Sequence, residues 1–457
     1  MPQSRPLPRV SLPAFLPLTL TACLLAACTA PAAASGRPDP SFGMGGWAPV
    51  SDPGSELTAV AEVGGTPSDP LRLLGAGSSG GPVVEVRRFE LDGSLDPSFG
   101  TFGVTSFLVP SASDAEVVKL LDVPFGSGYL VLIKATRALD QEGVLARILA
   151  DGTLDAAWAS GGFLELDAFG PHAVTDMEPC CEPGIVMISG QGASFIGDYE
   201  ALVRFVDAPA GRTVRGHLWG ESGTQEAAFG VARMSGLSYG ALYAADLSPD
   251  TVGGYRNDYP GNNAWSDEIA APGEARQPRA AAGAGSRFVG ASWVAFGPAG
   301  RPTQLSAWRI SGFQIEPDSN FGTGGQVTIP VAPNGLGYDA LRPEEILSAP
   351  GGFLIAATQF GAPGGPLRRV QILAVDPDGR PLWEGPPLLG PSSDRDHEAR
   401  DMVTLSDGRQ LLAVTATERA NPSSVRGWLL ATQTPEILRD GFESGDLTAW
   451  GASVGGP

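Results

Sequence analysis

The most regular feature of the sequence is a series of short apolar runs, each following a Gly-rich or polar turn. The central apolar residues of seven such runs are Leu73, Leu130, Val186, Leu242, Val289, Leu354 and Leu411. Their spacings are 57, 56, 56, 47, 65 and 57 residues, and self-similarity at a nearly fixed period is the signature of repeat architectures. The pattern predicts seven equivalent strands, at residues 71–76, 129–133, 185–189, 241–245, 288–291, 353–357 and 410–414.

Each unit of this pattern is rich in strand signals. Around Leu130, β-rich runs cover residues 117–123, 129–133 and 144–149, and the turn Asp151-Gly152 follows them. Short runs bounded by Gly, Pro and Asp indicate hairpins, and no long stretch has helical spacing. Four strands in each of seven units, with 62 Gly in the chain, predict an all-β fold, a seven-bladed β-propeller. The alternative is a β-solenoid, although its repeats are usually shorter.

The two ends of the repeat region suggest how the ring closes. Residues 38–46 begin in mid-unit, with no strand before them. Residues 425–431 match the strands at 83–89 and 144–148, but no closing phrase follows them. We therefore expect the N- and C-terminal strands to complete the last blade together, which would hide the sheet edges that an open array exposes.

Several units end on a phrase built around Asp-Pro-Ser-Phe-Gly. The copies are residues 38–43 (PDPSFG), 95–100 (LDPSFG), 317–322 (PDSNFG) and, in altered form, 154–158 (LDAAW). Asp-Pro favours a turn, and the Phe can fill the space between adjacent sheets. An arginine often precedes an apolar residue in the preceding strand, as at Arg88, Arg147, Arg204 and Arg309. Its recurrence in successive units predicts a structural ion pair with the Asp of the phrase.

This combination of an apolar strand, an Arg-apolar pair and Asp-Gly-x-Leu-Asp-x-x-Phe-Gly resembles the delta-60 repeat family of exported bacterial proteins. The resemblance covers residues 38–431 and is clearest at 83–104, 144–164 and 305–327. Residues 255–269, in the fourth unit, have neither the Arg-apolar strand nor the phrase. The family implies a propeller-like fold and export, and it implies no reaction and no catalytic residue.

The N-terminal residues predict export. Arg5 and Arg9 precede an apolar run at residues 12–27, as in a secretory signal peptide. The run ends in Leu-Ala-Ala before Cys28, which resembles the bacterial lipobox, where the Cys is lipidated and becomes the first mature residue. A cut after residues 32–34 (AAA) is the alternative and would release a soluble protein. We therefore predict a signal peptide (1–27), a tether (28–37), the propeller (38–434) and a C-terminal tail (435–457).

Location and partners follow from the lipobox and the charge. Thr29 after the Cys resembles lipoproteins sent to an outer membrane, so we expect an outer-membrane or cell-surface lipoprotein, or otherwise a periplasmic or secreted protein. The net charge of −20 argues against nucleic acid, which attracts basic surfaces. We expect a monomer that binds an unidentified protein or glycan and meets the membrane only through its lipid anchor. No cofactor is predicted. Calcium at the Asp-Gly turns is the alternative, although none has the full EF-hand spacing.

The sequence offers few candidate site residues. Cys180 and Cys181 are adjacent and could form a disulfide in an oxidising compartment, whereas a metal site with His172 would have fewer ligands than zinc normally needs. No metal ligands are therefore assigned. Asp394, Asp396, His397 and Glu398 form the densest ionisable cluster, which we interpret as a solvated loop between blades.

One segment of the atypical fourth unit combines aromatic and amide side chains. These candidate ligand residues are Tyr255, Asn257, Tyr259, Asn262 and Trp265. Such side chains suit contacts with sugars or peptides, and binding residues are concentrated on loops. The sequence therefore predicts a ligand loop here.

Two functional hypotheses remain, because the sequence has no Gly-x-Ser-x-Gly, His-Glu-x-x-His or phosphate-binding motif. The first is a non-catalytic exported propeller that binds a ligand or acts as a scaffold at the cell envelope, with no catalytic residue. The second is an exported propeller hydrolase or lyase with a site in the central channel. The first predicts no cluster of carboxylates and His in the channel, and the second requires one.

Overall fold

The structure of this chain is a computed structural model. It describes residues 37–50, 54–65, 70–123, 128–138, 140–166, 173–180, 182–193, 199–219, 226–234, 236–245, 251–258, 264–270, 275–296, 301–311, 314–331, 337–361, 365–384, 387–388 and 390–433. This part of the chain forms 29 β-strands in seven sheets arranged as a ring. The predicted seven-bladed β-propeller is therefore confirmed. No helix within the described ranges has the length and apolar character to cross a membrane.

The first strand along the chain, β1 (Trp47–Pro49), belongs to the last blade, and the other strands form blades in chain order. Blade 1 contains β2 (Ala59–Val63), β3 (Arg72–Ser78), β4 (Val83–Phe89) and β5 (Val104–Leu108). Blade 2 contains β6 (Asp114–Asp122), β7 (Gly128–Arg137), β8 (Asp140–Leu149) and β9 (Phe163–Glu165). Blade 3 contains β10 (Val174–Pro179), β11 (Ile185–Ala193), β12 (Tyr199–Asp207) and β13 (Arg212–Trp219).

The second half of the ring follows the same order. Blade 4 contains β14 (Glu226–Arg233), β15 (Ser238–Ala245), β16 (Thr251–Asp258) and β17 (Ala264–Ala270). Blade 5 contains β18 (Ala275–Ala284), β19 (Arg287–Phe296) and β20 (Thr303–Ser311), with β21 (Gln314–Pro317) and β22 (Gln326–Ile329) both paired to β20. Blade 6 contains β23 (Tyr338–Ala349), β24 (Gly352–Gly361), β25 (Arg369–Val375) and β26 (Pro381–Glu384). Blade 7 contains β27 (Arg395–Thr404), β28 (Gln410–Glu418), β29 (Asn421–Thr432) and β1.

The first strand of each blade lies at the centre of the ring. These inner strands contact one another in turn around a central channel, and they are β2, β6, β10, β14, β18, β23 and β27. Each of the seven apolar runs predicted from the sequence falls on the second strand of a blade. The 57-residue period is therefore the blade repeat. The short spacing separates the second strands of blades 4 and 5, and the long one separates those of blades 5 and 6, with β22 between them.

The seventh sheet contains strands from both ends of the described chain. Its order is β27-β28-β29-β1, with Trp47 opposite Leu430 and Pro49 opposite Trp428. Pro38 forms an isolated bridge with Thr432. Residues before β1 and after β29 therefore meet at one edge of blade 7.

The closing phrase fastens one blade to the next. Its aromatic residues Phe42, Phe99 and Phe321 are fully buried and pack against residues of the following blade. The N–H groups of Gly43, Gly100 and Gly322 donate to the carbonyl oxygens of Asp92, Asp151 and Asp378 at 2.7–2.8 Å. Each acceptor belongs to the Asp-Gly turn of the following blade. The Phe of the phrase thus fills the space between sheets, as the sequence predicts.

Blade 2 makes the same connection with a different residue. Trp158 replaces the Phe, and its indole N–H donates to the carbonyl of Ala208 in blade 3 at 2.7 Å. Its ring packs with Val186 and Val206 of that blade. The altered phrase LDAAW therefore still joins two blades.

The arginines of the third strands have the predicted partner in two blades. Arg88 pairs with Asp96 at 2.8 Å and Arg147 with Asp155 at 3.5 Å. The prediction is wrong for Arg309, which pairs with Glu316 at 2.7 Å, and for Arg204, which donates to the carbonyl of Leu166. Two phrases use an arginine at the beginning of a second strand instead. These pairs are Asp318 with Arg287 and Asp39 with Arg409.

Candidate functional site

The central channel contains a buried ion-pair cluster. We call Lys119, Asp176, Glu178, Glu345 and Asp401 the channel cluster. The Nζ of Lys119 lies 2.9 Å from Glu345 Oε2 and 2.8 Å from Asp401 Oδ1. Because Lys119 comes from blade 2 and its partners come from blades 6 and 7, this side chain bridges the channel.

A shared irregularity of the inner strands places these side chains at one level. The pairing register shifts immediately before Lys119, Asp176, Glu345 and Asp401. A β-bulge re-aims the side chains that follow it. Asp401 also accepts the N–H of Val60 in blade 1 at 2.8 Å, and Asp176 accepts that of Val231 in blade 4 at 3.0 Å. These carboxylates therefore tie neighbouring inner strands together.

The channel cluster has one cation for four carboxyl groups. Burial acts to lower the pKa of Lys119, but the charges of Asp401 and Glu345 raise it well above its usual value. Burial raises the pKa of Asp176 and, more strongly, that of Glu345. Burial and the charge of Asp176 raise the pKa of Glu178 to about 8. Burial thus favours the uncharged form of these carboxyl groups, whereas the charge of Lys119 favours their charged form.

A second group of charges lies nearer the end of the channel at which the inner strands begin. We call Arg279, Arg342, Arg368, Arg400, Glu344 and Glu398 the mouth cluster. Arg342 donates to Glu344 at 2.5 Å and to Glu398 at 3.1 Å. Glu398 is also paired with Arg368 and lies 3.6 Å from Arg400. The side chains of Arg368 and Arg400 are 43% and 32% exposed, so solvent reaches this cluster.

The mouth cluster has more donors than acceptors. The Nε atoms of Arg279 and Arg400 are buried and have no hydrogen-bond partner among the residues the structure describes. Burial lowers the pKa of Arg279, and the nearby charge of Glu344 opposes this effect. Four arginines surround two glutamates, although the chain as a whole has a net charge of −20. The cluster is therefore a local positive site on an acidic protein.

Two aromatic rings border the mouth cluster. The guanidinium groups of Arg342 and Arg368 lie 4.6 and 5.0 Å from the ring centre of Phe360. Trp293 of blade 5 stacks on Phe360 with ring centres 6.3 Å apart. These cation–π contacts hold the two arginines in place, since aromatic faces attract guanidinium groups.

At its other end, the channel opens into a small cavity. Glu178 lines this cavity of about 190 Å³ together with Ala282, Leu347 and Ser348. Its carboxyl group is therefore the member of the channel cluster nearest to solvent at that end. Metal-ligand groupings of three or more His, Cys, Asp or Glu do not occur in the described ranges.

The His397 segment is not the solvated loop that the sequence predicts. Asp396, His397 and Glu398 lie on the inner strand β27. Glu398 belongs to the mouth cluster, and Asp396 lies 4.0 Å from Arg368 of that cluster. His397 is fully buried and packs edge-on against Trp47 at 5.8 Å. Burial lowers the pKa of His397 to about 4, so this imidazole is neutral and belongs to the framework.

The structure places the described residues of the predicted ligand loop on two strands of blade 4. Tyr255 and Asn257 lie on β16, and Trp265 lies opposite Arg256 on β17. Tyr255 stacks on Trp219 at 3.9 Å, and the buried Asn257 donates to the hydroxyl of Tyr255 at 3.0 Å. The side chains of Tyr255 and Asn257 are therefore buried and held by neighbouring side chains in the interior of the protein. Tyr259 and Asn262 lie outside the described residues.

The cysteine predictions fall largely outside the described ranges. Cys180 is buried between blades 3 and 4, near Met187 and Tyr239. Cys181, its proposed disulfide partner, and Cys28, the proposed lipidation site, lie outside the described residues.

The two functional hypotheses differed on the channel. The non-catalytic hypothesis predicted no cluster of carboxylates and His there, whereas the enzyme hypothesis required one. The channel and mouth clusters contain carboxylates, but neither of the two clusters includes a histidine. Their carboxylates are engaged mainly with Lys119 and with the arginines.

Comparison with known proteins gives similarities of chain path at low sequence identity. No family profile matches the sequence, and no curated protein matches it. An ulvan lyase, described as a new family of polysaccharide lyase, is similar with a TM-score of 0.48 and 9% identity, over 90% of this chain and 98% of that one. The periplasmic gluconolactonase of Pseudomonas aeruginosa is similar with a TM-score of 0.44 and 15% identity, over 79% of this chain and 96% of that one. The Aleuria aurantia lectin is similar with a TM-score of 0.37 and 13% identity, over 73% of this chain and 95% of that one.

Proposed function

We propose that this chain is an exported, lipid-anchored propeller of the delta-60 repeat type that binds an anionic ligand at the mouth cluster. The observation that carries the proposal is the pair of buried Nε donors on Arg279 and Arg400, which have no hydrogen-bond partner in the described part of the chain. A buried donor without a partner costs free energy, and an anionic ligand would remove that cost.

The donor set indicates the class of ligand. Guanidinium groups bind carboxylate, sulfate and phosphate through paired hydrogen bonds. The mouth cluster combines four such groups with the aromatic faces of Phe360 and Trp293. This combination suits an acidic group carried by a glycan or by a protein segment, in agreement with the partners expected from the sequence.

The arrangement favours binding over catalysis. Glu344 and Glu398 are the carboxylates of the mouth cluster, and both are paired with Arg342. Burial raises the pKa of Glu344, while Arg342 and Arg279 beside it act in the opposite direction. A general base must reach a substrate proton, whereas both of these groups are held by arginines.

The test is binding of acidic glycans and acidic peptides to the mature protein and to Arg279→Gln/Arg400→Gln. We expect the double variant to bind an acidic ligand at least about tenfold more weakly, since a hydrogen bond to a charged group contributes about 1.5–3 kcal/mol. Isothermal titration calorimetry on hits from a glycan and peptide array measures the change. The control is Arg212→Gln, whose side chain is 73% exposed on the outer strand of blade 3. Equal losses in both variants would contradict the proposal.

A hydrolase or lyase is the second candidate function. It is favoured by Glu178, whose pKa is raised to about 8 and whose carboxyl lines the cavity at the far end of the channel. A carboxylic acid that stays protonated near neutral pH can act as a general acid. Depolymerisation of an array ligand by the wild type, lost in Glu178→Gln, would establish this function in place of simple binding.

Anchoring is tested separately from ligand binding. We expect cells that express the full chain with labelled palmitate to incorporate it into the protein, and Cys28→Ala to abolish the incorporation. Cys23→Ala is the matched control, because Cys23 lies within the proposed signal peptide. Incorporation that persists in Cys28→Ala would contradict the proposed lipidation site.

A further inference from the structure

Phe102 occupies a position that other blades give to glycine. The turn after the phrase has Gly45 in blade 7, Gly161 in blade 2 and Gly324 in blade 5, with φ between +61° and +67°. Phe102 stands at the same place in blade 1 with φ +53°. Bulky residues rarely adopt positive φ, and residues kept in a strained conformation are often functional. The Phe102 side chain is also 81% exposed, so burial does not explain it.

Two other exposed apolar side chains lie on the same face of the ring as Phe102, near turns between the third and fourth strands of a blade. Met44 is 62% exposed and Leu95 is 40% exposed. A Cβ on Gly103 would lie 3.2 Å from the Leu95 side chain, which places Leu95 against the Phe102 turn. Gly43, the neighbour of Met44, is hydrogen-bonded to Asp92 of blade 1. We call Met44, Leu95 and Phe102 the rim patch, which lies on one face of blades 7 and 1.

The N-terminal segment joins the propeller at the same place. Gln433 donates its N–H to the carbonyl of Arg37 at 3.1 Å, and Pro38 pairs with Thr432. A Cβ on Gly46 would meet Pro38, so the first described residues lie close to the Met44 turn. Eight residues lie between Cys28 and Arg37. Fully extended, they would span about 30 Å at most.

We infer that the rim patch rests on the lipid surface that carries the anchor, an inference that depends on the proposed lipidation of Cys28. A tether of this length keeps the blade 7–blade 1 rim close to the bilayer. Exposed Phe, Leu and Met side chains enter the interfacial region favourably, because this removes apolar surface from water. The turns at Asp92 and Asp407 on this face are exposed and acidic, so they would not attract anionic lipid. The contact would therefore come from insertion of the apolar side chains.

The same orientation accounts for the position of the mouth cluster. The inner strand of a blade begins at the mouth end of the channel. Because successive strands run antiparallel, the turn between the third and fourth strands lies at the opposite end. The phrase and the rim patch follow that turn. The mouth cluster therefore faces away from the membrane, where a ligand in the surrounding space can reach it.

The experiment uses the full-length acylated protein in vesicles of phosphatidylethanolamine and phosphatidylglycerol that contain a lipid with a photoreactive acyl chain. We expect cross-links, mapped by peptide mass spectrometry, at Met44 and Phe102. Leu108 is the internal control, since it is 64% exposed but lies at the opposite end of blade 1. If the protein is palmitoylated and membrane-bound but Phe102 and Leu108 are cross-linked equally, the rim inference is wrong and the lipid anchor is retained. Absence of palmitate would overturn anchoring and, with it, the rim inference.

A variant separates lipid contact from folding. Phe102→Gly introduces the glycine that other blades have at this positive-φ position. We therefore expect the melting temperature of the variant to be equal to or above that of the wild type. We also expect it to lose most of the lipid cross-linking at the rim, including that at Met44, while Leu108→Gly leaves rim cross-linking unchanged. Undiminished cross-linking at Met44 in Phe102→Gly would contradict insertion of the rim patch.

Discussion

Replacement of Trp158 by alanine is expected to lower the free energy of unfolding by about 3–5 kcal/mol, the usual cost of removing a large buried aromatic side chain. Trp158 is 3% exposed and is the residue through which the phrase of blade 2 contacts blade 3. Its removal opens a cavity between two blades and leaves the carbonyl of Ala208 without its indole donor. Denaturant unfolding of the mature protein, followed by fluorescence and by circular dichroism, measures the loss.

Trp158→Phe is the matched control for this prediction. It retains a buried ring, as in the other phrases, and removes the N–H group together with part of the indole ring system. We expect a loss of about 1 kcal/mol, the net contribution of one hydrogen bond, plus a small term for imperfect packing. A Trp158→Ala variant as stable as Trp158→Phe would mean that the phrase does not hold blades 2 and 3 together.

Lys119→Met is expected to be as damaging, by a different physical route. Removing one partner of a buried ion pair costs about 3–5 kcal/mol, because an uncompensated charge remains in the protein interior. Met has a similar length and no charge, so packing changes little. Glu345 and Asp401 would lose the cation that lies 2.8–2.9 Å away. The measurement is denaturant unfolding at pH 5 and pH 8.

The pH dependence of this loss has a definite sign. A carboxyl group whose folded pKa is raised contributes stability below its unfolded pKa and loses it as pH rises through the folded pKa. Burial already raises the pKa of Glu345 and Asp176, and Lys119 opposes that rise. Without Lys119 the folded pKa values rise further, so the destabilisation should be larger at pH 8 than at pH 5.

Lys134→Met provides the control in the same blade. Lys134 forms an ion pair with Glu116 on the surface, and the two side chains are 26% and 48% exposed. Surface pairs of this kind contribute at most about 1 kcal/mol. A Lys119→Met loss no greater than that of Lys134→Met, or one independent of pH, would show that the channel cluster does not stabilise the ring.

The fold could be predicted from the sequence because the second strand of every blade is buried on both faces. Such a strand appears in the sequence as a continuous apolar run, as at Leu130 and Leu354. The number of these runs therefore gives the number of blades. The phrase was equally visible, because the contact of Phe99 with the next blade requires the same residues in each copy. These features depend on local sequence and on repetition.

The channel and mouth clusters could not be predicted in the same way. Lys119, Glu345 and Asp401 come from blades 2, 6 and 7, and only closure of the ring brings them together. The bulges that direct these side chains into the channel have no characteristic residue type by which the sequence would reveal them. One signal was present, since Lys119, Asp176, Glu345 and Asp401 precede the central apolar residue of the next strand by similar distances. Aligning the units on those residues would have placed the four charges at one level.

The error at Tyr255 has a physical cause. The third strand of blade 4 contains Gly253 and Gly254 in place of apolar residues, so its strand signal is weak. A Cβ at Gly254 would lie 2.5 Å from the Trp308 ring of blade 5, which packs over the strand at this point. Glycine therefore permits a close approach between blades and does not mark a loop.

The pairing of β1 with β29 gives the seam between blades 7 and 1 a mechanical role. The proposed tether meets the ring at Arg37, beside the contacts of Asp39 with Arg409 and of Gly43 with Asp92. Any pull on the proposed anchor would thus first load this seam, near which Gln433 donates its N–H to the carbonyl of Arg37. The phrase copy at residues 38–43 would transfer the force to blade 1 before the force reaches the three-residue strand β1.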